Sequence, residues 1–223
     1  MINPFLLDAP GFERLLIVGA GGFGREVAWL ARQRWGENVR LAFLVSSAEY
    51  LTPPVNDVTV QMLDVAPLLP GDRYVSAISD STARRALSAM CEARHLQAAS
   101  VIAHPRIESS RFVEAGEGSI LCAGTSLTTD VRIGRHVHVN LHCTIGHDVV
   151  IGDFSTLSPG VHVSGHVRIE EDVFIGTGAV IVNGKAGHPL IIGRGAIVAA
   201  GACVTSTVEP GALVAGVPAI RKR

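Results

Sequence analysis

From Leu121 onward an aliphatic side chain returns every sixth residue: Leu121, Leu127, Ile133, Val139, Ile145, Ile151, Leu157, Val163, Ile169, Ile175 and Ile181, eleven without exception. Four places further on in each hexad the residue is small or β-branched, from Thr125, Val131 and Val137 through Cys143, Val149 and Ser155 to Ala179. A period of six fits neither a helix nor an alternating strand. It predicts a parallel β-helix in which each hexad is one flat face and three hexads close a coil. Ordinary antiparallel strands would show turn clusters at irregular intervals instead. The beat breaks once, because the anchor after Ile181 is Ile192, eleven residues on, and Val198 and Val204 then resume it. The additional residues fall within 183–190 and predict a loop thrown out from one corner, commonly on a binding side.

The first hundred residues follow another rhythm. Residues 1–12, with Pro4 and Pro10, read as an arm. Glu13 to Val18 predicts a short buried strand, the run Gly19-Ala20-Gly21-Gly22-Phe23-Gly24 a tight turn, and Arg25 to Arg32 a helix stopped at Gly36. A second strand spans Val39 to Val45 and a third Arg73 to Ile78; Ser79-Asp80 then caps a helix containing Ala83, Leu87 and Met90. Residues 97–103 cross into the solenoid. Eight of the eleven aromatic residues precede position 101, so a bulky core comes first and a slim coil second. Two domains follow: residues 1–100, a small α/β unit with a parallel sheet, and residues 101–223, the solenoid.

Charge narrows the function classes. A net charge of −1 gives no footprint for nucleic acid or an anionic membrane, and no apolar run approaches a membrane span. Cys91, Cys122, Cys143 and Cys203 form no close pair and no metal-type spacing, and no signal-peptide pattern is present. The expectation is a reduced, cytoplasmic protein.

Two places carry candidate chemistry. Strand, glycine turn, helix is the context in which G-x-G-x-x-G lets a backbone approach phosphate at a helix N-terminus. The second strand ends in Ser46-Ser47 with no acid to hold a ribose hydroxyl, which argues against a dinucleotide. Phosphate of another ligand, or a purely structural turn, remains. The second place is Ile145-Gly146-His147-Asp148. An imidazole held by a carboxylate at a coil corner is a general base tuned near neutral pH. One coil further along the same column stands Gly165, which leaves room for a ligand chain beside His147. A competing metal reading uses His142 and His147 in an H-x4-H spacing, as in zinc carbonic anhydrases of the hexapeptide type. His136, His138, His162 and His166 are expected to be solvated side chains, and His104-Pro105 marks the entrance to the solenoid.

Together these residues resemble the sialic-acid O-acetyltransferase-type family of hexapeptide-repeat sugar acyltransferases, which includes N-acetyltransferases of nucleotide-linked amino sugars of the bacillosamine and perosamine type. The resemblance rests on the Gly19-to-Gly24 turn, Ser79-Asp80, His104-Pro105, Val139-Asn140, Gly146-His147-Asp148 and the ending Gly216-Val217-Pro218-Ala219, and spans nearly the whole chain. It implies a Rossmann-like domain followed by a left-handed β-helix, assembled as a homotrimer with active sites between subunits.

The resemblance further implies an acetyl-CoA-dependent, metal-independent acetyltransferase of bacterial surface-glycan biosynthesis, acting on a nucleotide-linked amino sugar. His147 matches the base and Asp148 its orienting carboxylate. Asn140 matches a residue near the acceptor, and Gly21, Gly22 and Gly24 match the turn that holds the sugar nucleotide. Gly165, Thr177 and Ala200 match positions lining the acetyl-CoA groove. Lys185 and the tail Arg221-Lys222-Arg223 are candidates to meet CoA phosphates. Three departures stand out: Phe23 and Thr156 occupy places where relatives carry His, and Ser46-Ser47 replaces an acidic pair. Ester rather than amide formation, the metal enzyme, and a trimer that only senses a ligand are the alternatives.

Overall fold

The computed structural model describes residues 11–103, 106–107 and 112–222, so Pro4, Pro10, His104-Pro105 and Arg223 lie outside the described residues. The first unit is a parallel sheet built from β1 (Arg14–Val18), β2 (Arg40–Val45), β3 (Thr59–Met62), β4 (Arg73–Ser76) and β5 (Gln97–Ala98), in the spatial order β3-β2-β1-β4-β5. Successive side chains of β1 point to opposite faces, and both faces are covered. Leu15 and Ile17 pack with Val27, Leu30 and Trp35 of α1 (Gly22–Trp35), whereas Leu16 and Val18 join Tyr74, Leu96 and Cys91 of α2 (Ser81–Ala93). Helix α1 stops at Gly36, whose φ of 60° only glycine adopts readily. Helix α2 starts at Asp80, whose carboxylate accepts the Ala83 N–H at 2.7 Å. Strands β3 and β5 add two members to the three strands expected. The first is a partly exposed edge strand of mixed polarity and the second only two residues long, so neither carries a period of its own.

From Val101 the chain winds as the expected left-handed parallel β-helix. It visits face one (for example Val139 and Leu157), face two (Ile145, Val163) and face three (Ile151, Ile169) in turn; from Val113 to Ile181 each strand pairs with the residue eighteen positions on, and pairs that bridge the insertion stand twenty-three apart. All eleven aliphatic anchors lie inside, none more than 4% exposed. Each full burial stabilises the coil by roughly 1.5–3 kcal/mol. One residue in each hexad takes positive φ to turn the corner, at positions 118, 124, 130, 136, 142, 148, 154, 160, 166, 172 and 178. Glycine fills four of these places, and aspartate, histidine and Phe154 fill the others. The insertion lies where the register break places it: Lys185 and His188 exchange backbone hydrogen bonds across a small exposed hairpin between Ile181 on face two and Leu190 on face three.

The α/β unit is seated on face one. Phe23 packs its ring against His138 at 4.9 Å, and Arg84 of α2 reaches His138 Nδ1 at 2.9 Å, Thr156 Oγ1 at 3.1 Å and the Phe154 carbonyl. Arg85 lies 4.0 Å over the Phe154 ring and donates to both oxygens of Asp172. This seating overturns the expectation that His136 and His138 are solvated, since they are 0% and 1% exposed. His136 is sandwiched between Tyr74 and Phe154, and burial pushes its pKa down to about 4. Burial and the neighbouring Arg84 hold His138 well below the ordinary histidine range. Both are neutral at pH 7. His162 is solvent-exposed as expected, and His166 is partly covered.

Candidate active site

His147 and Asp148 occupy the corner between faces two and three, opposite the face on which the α/β unit sits. Asp148 is the positive-φ residue of that corner, a conformation that aspartate tolerates better than most side chains. Its carboxylate meets His147 Nδ1 at 2.8 Å, and both side chains are about half exposed, at 48% and 55%. A carboxylate only accepts, so Nδ1 carries the proton and Nε2 keeps its lone pair. The same hydrogen bond recurs one coil earlier, where Thr129 Oγ1 donates to Asp130 at 2.9 Å.

The imidazole leans over Gly165 on the next coil. A Cβ at Gly165 would fall 2.5 Å from His147 Cε1 and Nε2, and one at Gly146 would fall 2.8 Å from the Gly165 nitrogen. Two glycines thus let the backbones close together and leave space for the ring. His142 and His136 lie in the opposite sense, over Gly124 and Gly118 of the preceding coil. His142 belongs to the corner between faces one and two, so the H-x4-H spacing does not bring it beside His147 within one chain. The group that does gather is His147, Asp148 and His166, whose ring stands at 87° to that of His147 with centroids 4.9 Å apart. Sequence reasoning assigned His166 to solvent; the signal was its place one coil above Asp148 in the same corner column.

The glycine turn borders a separate cleft of about 520 Å³, lined among others by Gly19, Gly21, Arg25, Ser46, Glu49 and Tyr50. A Cβ at Gly21 would meet nothing within 4 Å, and one at Gly22 would only reach the end of Arg25. Their backbone is therefore open to a ligand at the start of α1, where free N–H groups favour anions. Gly24 has a different reason: a Cβ there would overlap the Gly19 carbonyl oxygen, so it sets the close packing of strand and helix. No acid stands at Ser46-Ser47, but Glu49, in the short 3-10 turn Ala48–Tyr50, lines the same cleft. Only the fold of that turn could reveal it.

The remaining sequence candidates are dispersed within one chain. Asn140 is buried and donates Nδ2 to the Leu157 carbonyl at 2.9 Å, inside its own ladder. Thr177 and Ala200 are exposed one above the other at the corner between faces one and two. Lys185 is exposed in the inserted hairpin, on the corner of His147. Thr156, in place of a second His, is buried against Arg84. A polar cleft of about 360 Å³ beside Asp148 is lined by Phe112, Glu114, Asp130, Arg132 and Val150.

No family model matches the chain. Individual relatives do. GDP-perosamine N-acetyltransferase of Escherichia coli O157:H7 is 33% identical over 210 residues, covering 91% of this chain and 93% of the relative. Among solved structures, WeeI from Acinetobacter baumannii AYE superposes with a TM-score of 0.86 at 36% identity, covering 94% of this chain and 99% of its own. A histidine-to-asparagine variant of perosamine N-acetyltransferase from Caulobacter crescentus, in complex with CoA and GDP-perosamine, gives 0.83 at 27% identity over 96% and 98%. With a two-part fold shared end to end and a third of its residues in common with an enzyme of that name, the chain belongs to the hexapeptide-repeat family of nucleotide-amino-sugar N-acetyltransferases.

Proposed function

We propose that this protein transfers an acetyl group from acetyl-CoA to the amine of a nucleotide-linked amino sugar. The observation that carries the reading is the exposed His147–Asp148 pair, with Nδ1 tied at 2.8 Å and the opposite edge of the ring set over a glycine. The acceptor amine attacks the thioester carbonyl while His147 Nε2 takes its proton, and Asp148 stabilises the imidazolium. The Gly165 N–H, which donates to no backbone carbonyl among the described residues, is placed to meet the oxyanion. Collapse breaks the C–S bond, and the departing CoA sulfur recovers the proton.

The nucleotide lies in the cleft at Gly21, Gly22 and Glu49, and acetyl-CoA runs past Gly165 toward Lys185, Thr177 and Ala200. Within one chain that cleft belongs to the α/β unit seated on face one, and His147 lies on the corner opposite that face. A sugar held by one subunit then reaches the base of another, and the family resemblance supplies the assembly that allows it, a homotrimer of closed cyclic symmetry. Between Ser126 and Cys203 the outward residues of face two, Ser126, Thr144, His162, Val180 and Cys203, carry no carboxylate, lysine or arginine, which supports this packing. All four cysteines are free, as a reducing cytoplasm would leave them. The deciding experiment follows thiol release with acetyl-CoA and GDP-, UDP- and dTDP-amino sugars. One of these is turned over by the wild type and not by His147→Ala, whereas near-normal turnover in the variant would remove the assigned base.

A further inference from the structure

We propose that His147, Asp148 and His166 form a binding site for one divalent transition-metal ion of the zinc type, and that its occupation excludes catalysis. Two imidazoles and a carboxylate are a donor set that zinc favours, and three protein ligands with an open fourth position leave room for water. In a tetrahedral site with bonds of about 2.0–2.2 Å the ligand atoms stand roughly 3.3 Å apart. Here Asp148 Oδ2 already lies 2.8 Å from His147 Nδ1 and 3.6 Å from His166 Nδ1, values that bracket that edge. One ligand atom from each of the three residues falls within 4.8 Å of the others. The remaining closure falls to side chains that are 55%, 48% and 28% exposed and so have room to rotate.

Binding and catalysis compete for the same ring. A metal on Nδ1 takes the place of the proton shared with Asp148, so the neutral ring must carry its remaining proton on Nε2 and loses the lone pair needed by a base. A metal on Nε2 blocks that atom directly. The ion is thus an inhibitor, compatible with an enzyme that needs no metal for turnover. Magnesium and calcium, which prefer all-oxygen shells, are poorly matched to two imidazoles.

The test uses the untagged full-length chain. Cobalt(II), which reports a low-symmetry nitrogen–oxygen site by its visible absorption, is titrated into the metal-free protein, and zinc is then added to displace it. The expected result is saturation at one cobalt per chain in the wild type and in His162→Ala, and no saturable spectrum in His166→Asn. Asparagine is chosen because it tolerates the positive φ of position 166. In the assay, zinc stops acetyl transfer by the wild type and chelator restores it. His166→Asn keeps its metal-free turnover but needs more than about 100-fold more zinc, since losing even an outer-shell partner of a ligand costs about 10–100-fold. A wild type with no saturable cobalt spectrum, or a His166→Asn variant that binds equally, overturns the proposal. Should the variant not fold, anomalous scattering from zinc-soaked wild-type crystals decides, with an ion between the three side chains expected and any other location refuting the site. The inhibition arm rests on the function proposed above, but the spectrum does not: a chain that binds cobalt and never transfers acetyl would sink the enzyme assignment and leave the metal site standing.

Discussion

The ring of His147 occupies the volume that a side chain at Gly165 would fill, with Cε1 and Nε2 each 2.5 Å from the missing Cβ. Gly165→Ala must therefore push the imidazole outward, away from Asp148 and the acceptor. A displacement of about 1 Å at a reacting group can cost on the order of 100-fold in rate. We expect a loss of that order in kcat, with little change in melting temperature because φ at this glycine is not positive. Steady-state kinetics beside a thermal melt check both halves.

Asp148→Asn keeps the corner conformation, since asparagine also tolerates positive φ. It replaces the carboxylate by a neutral amide, whose NH2 can donate to Nδ1 and so select the wrong His147 tautomer, and whose oxygen lacks the charge that stabilises the imidazolium. Turnover should fall by about 10²–10⁴-fold. Near-wild-type kcat would show that Asp148 only turns the corner.

Two glycines of one turn should separate binding from folding. Gly21→Ala places its methyl in open space, so the fold survives and the KM for the nucleotide sugar rises. Gly24→Ala drives Cβ into the Gly19 carbonyl and should lower the melting temperature instead. Glu49→Gln, in the same cleft, should raise KM without destabilising. Thermal-shift curves with and without the nucleotide diphosphate distinguish the three.

Arg84 is fully buried, and burial lowers its pKa to about 10, still well above neutrality, so it remains a cation. Arg84→Met strands the carbonyls of Ile78 and Phe154 and the Nδ1 of His138. Each buried acceptor left without a donor costs about 1–3 kcal/mol. Denaturant unfolding should show that loss, with proteolysis appearing first at the junction between the α/β unit and face one.

His136 gives the protein an acid-sensitive joint. Its pKa of about 4 in the fold lies below the ordinary 6.5, so the unfolded chain binds the proton first as pH falls. Stability is therefore full above pH 6.5 and is lost as pH drops toward 4, by about 3 kcal/mol for a shift of this size. His138 acts in the same direction. Melting temperatures of the wild type and His136→Asn between pH 7 and 4 test this, the variant showing the flatter curve.

The six-residue beat made the solenoid legible because every coil repeats one demand, an aliphatic residue inside each face. The inserted hairpin was legible for the same reason, as a fault in that beat. What escaped was whatever depends on one unit covering another. His136 and His138 look like solvent-facing residues until α2 and Phe23 are set on face one. Glu49 reaches its cleft only through a short turn after β2, and His166 meets Asp148 only once coils are stacked. Residues adjacent in the chain, such as His147 and Asp148, could be paired by eye. Partners eighteen or more apart required the ladder, and the two-residue strand β5 had too little length to show any pattern.

The hydrogen bond between Thr129 and Asp130 copies the His147–Asp148 link at a coil that has no imidazole. What distinguishes the working corner is the void above it: position 165 is glycine, whereas the place above Thr129 is filled by His147 itself. The proposed base thus rests on three residues, a histidine, an αL carboxylate and an empty seat one storey up. The Thr129 rung has the carboxylate but neither the imidazole nor the empty seat.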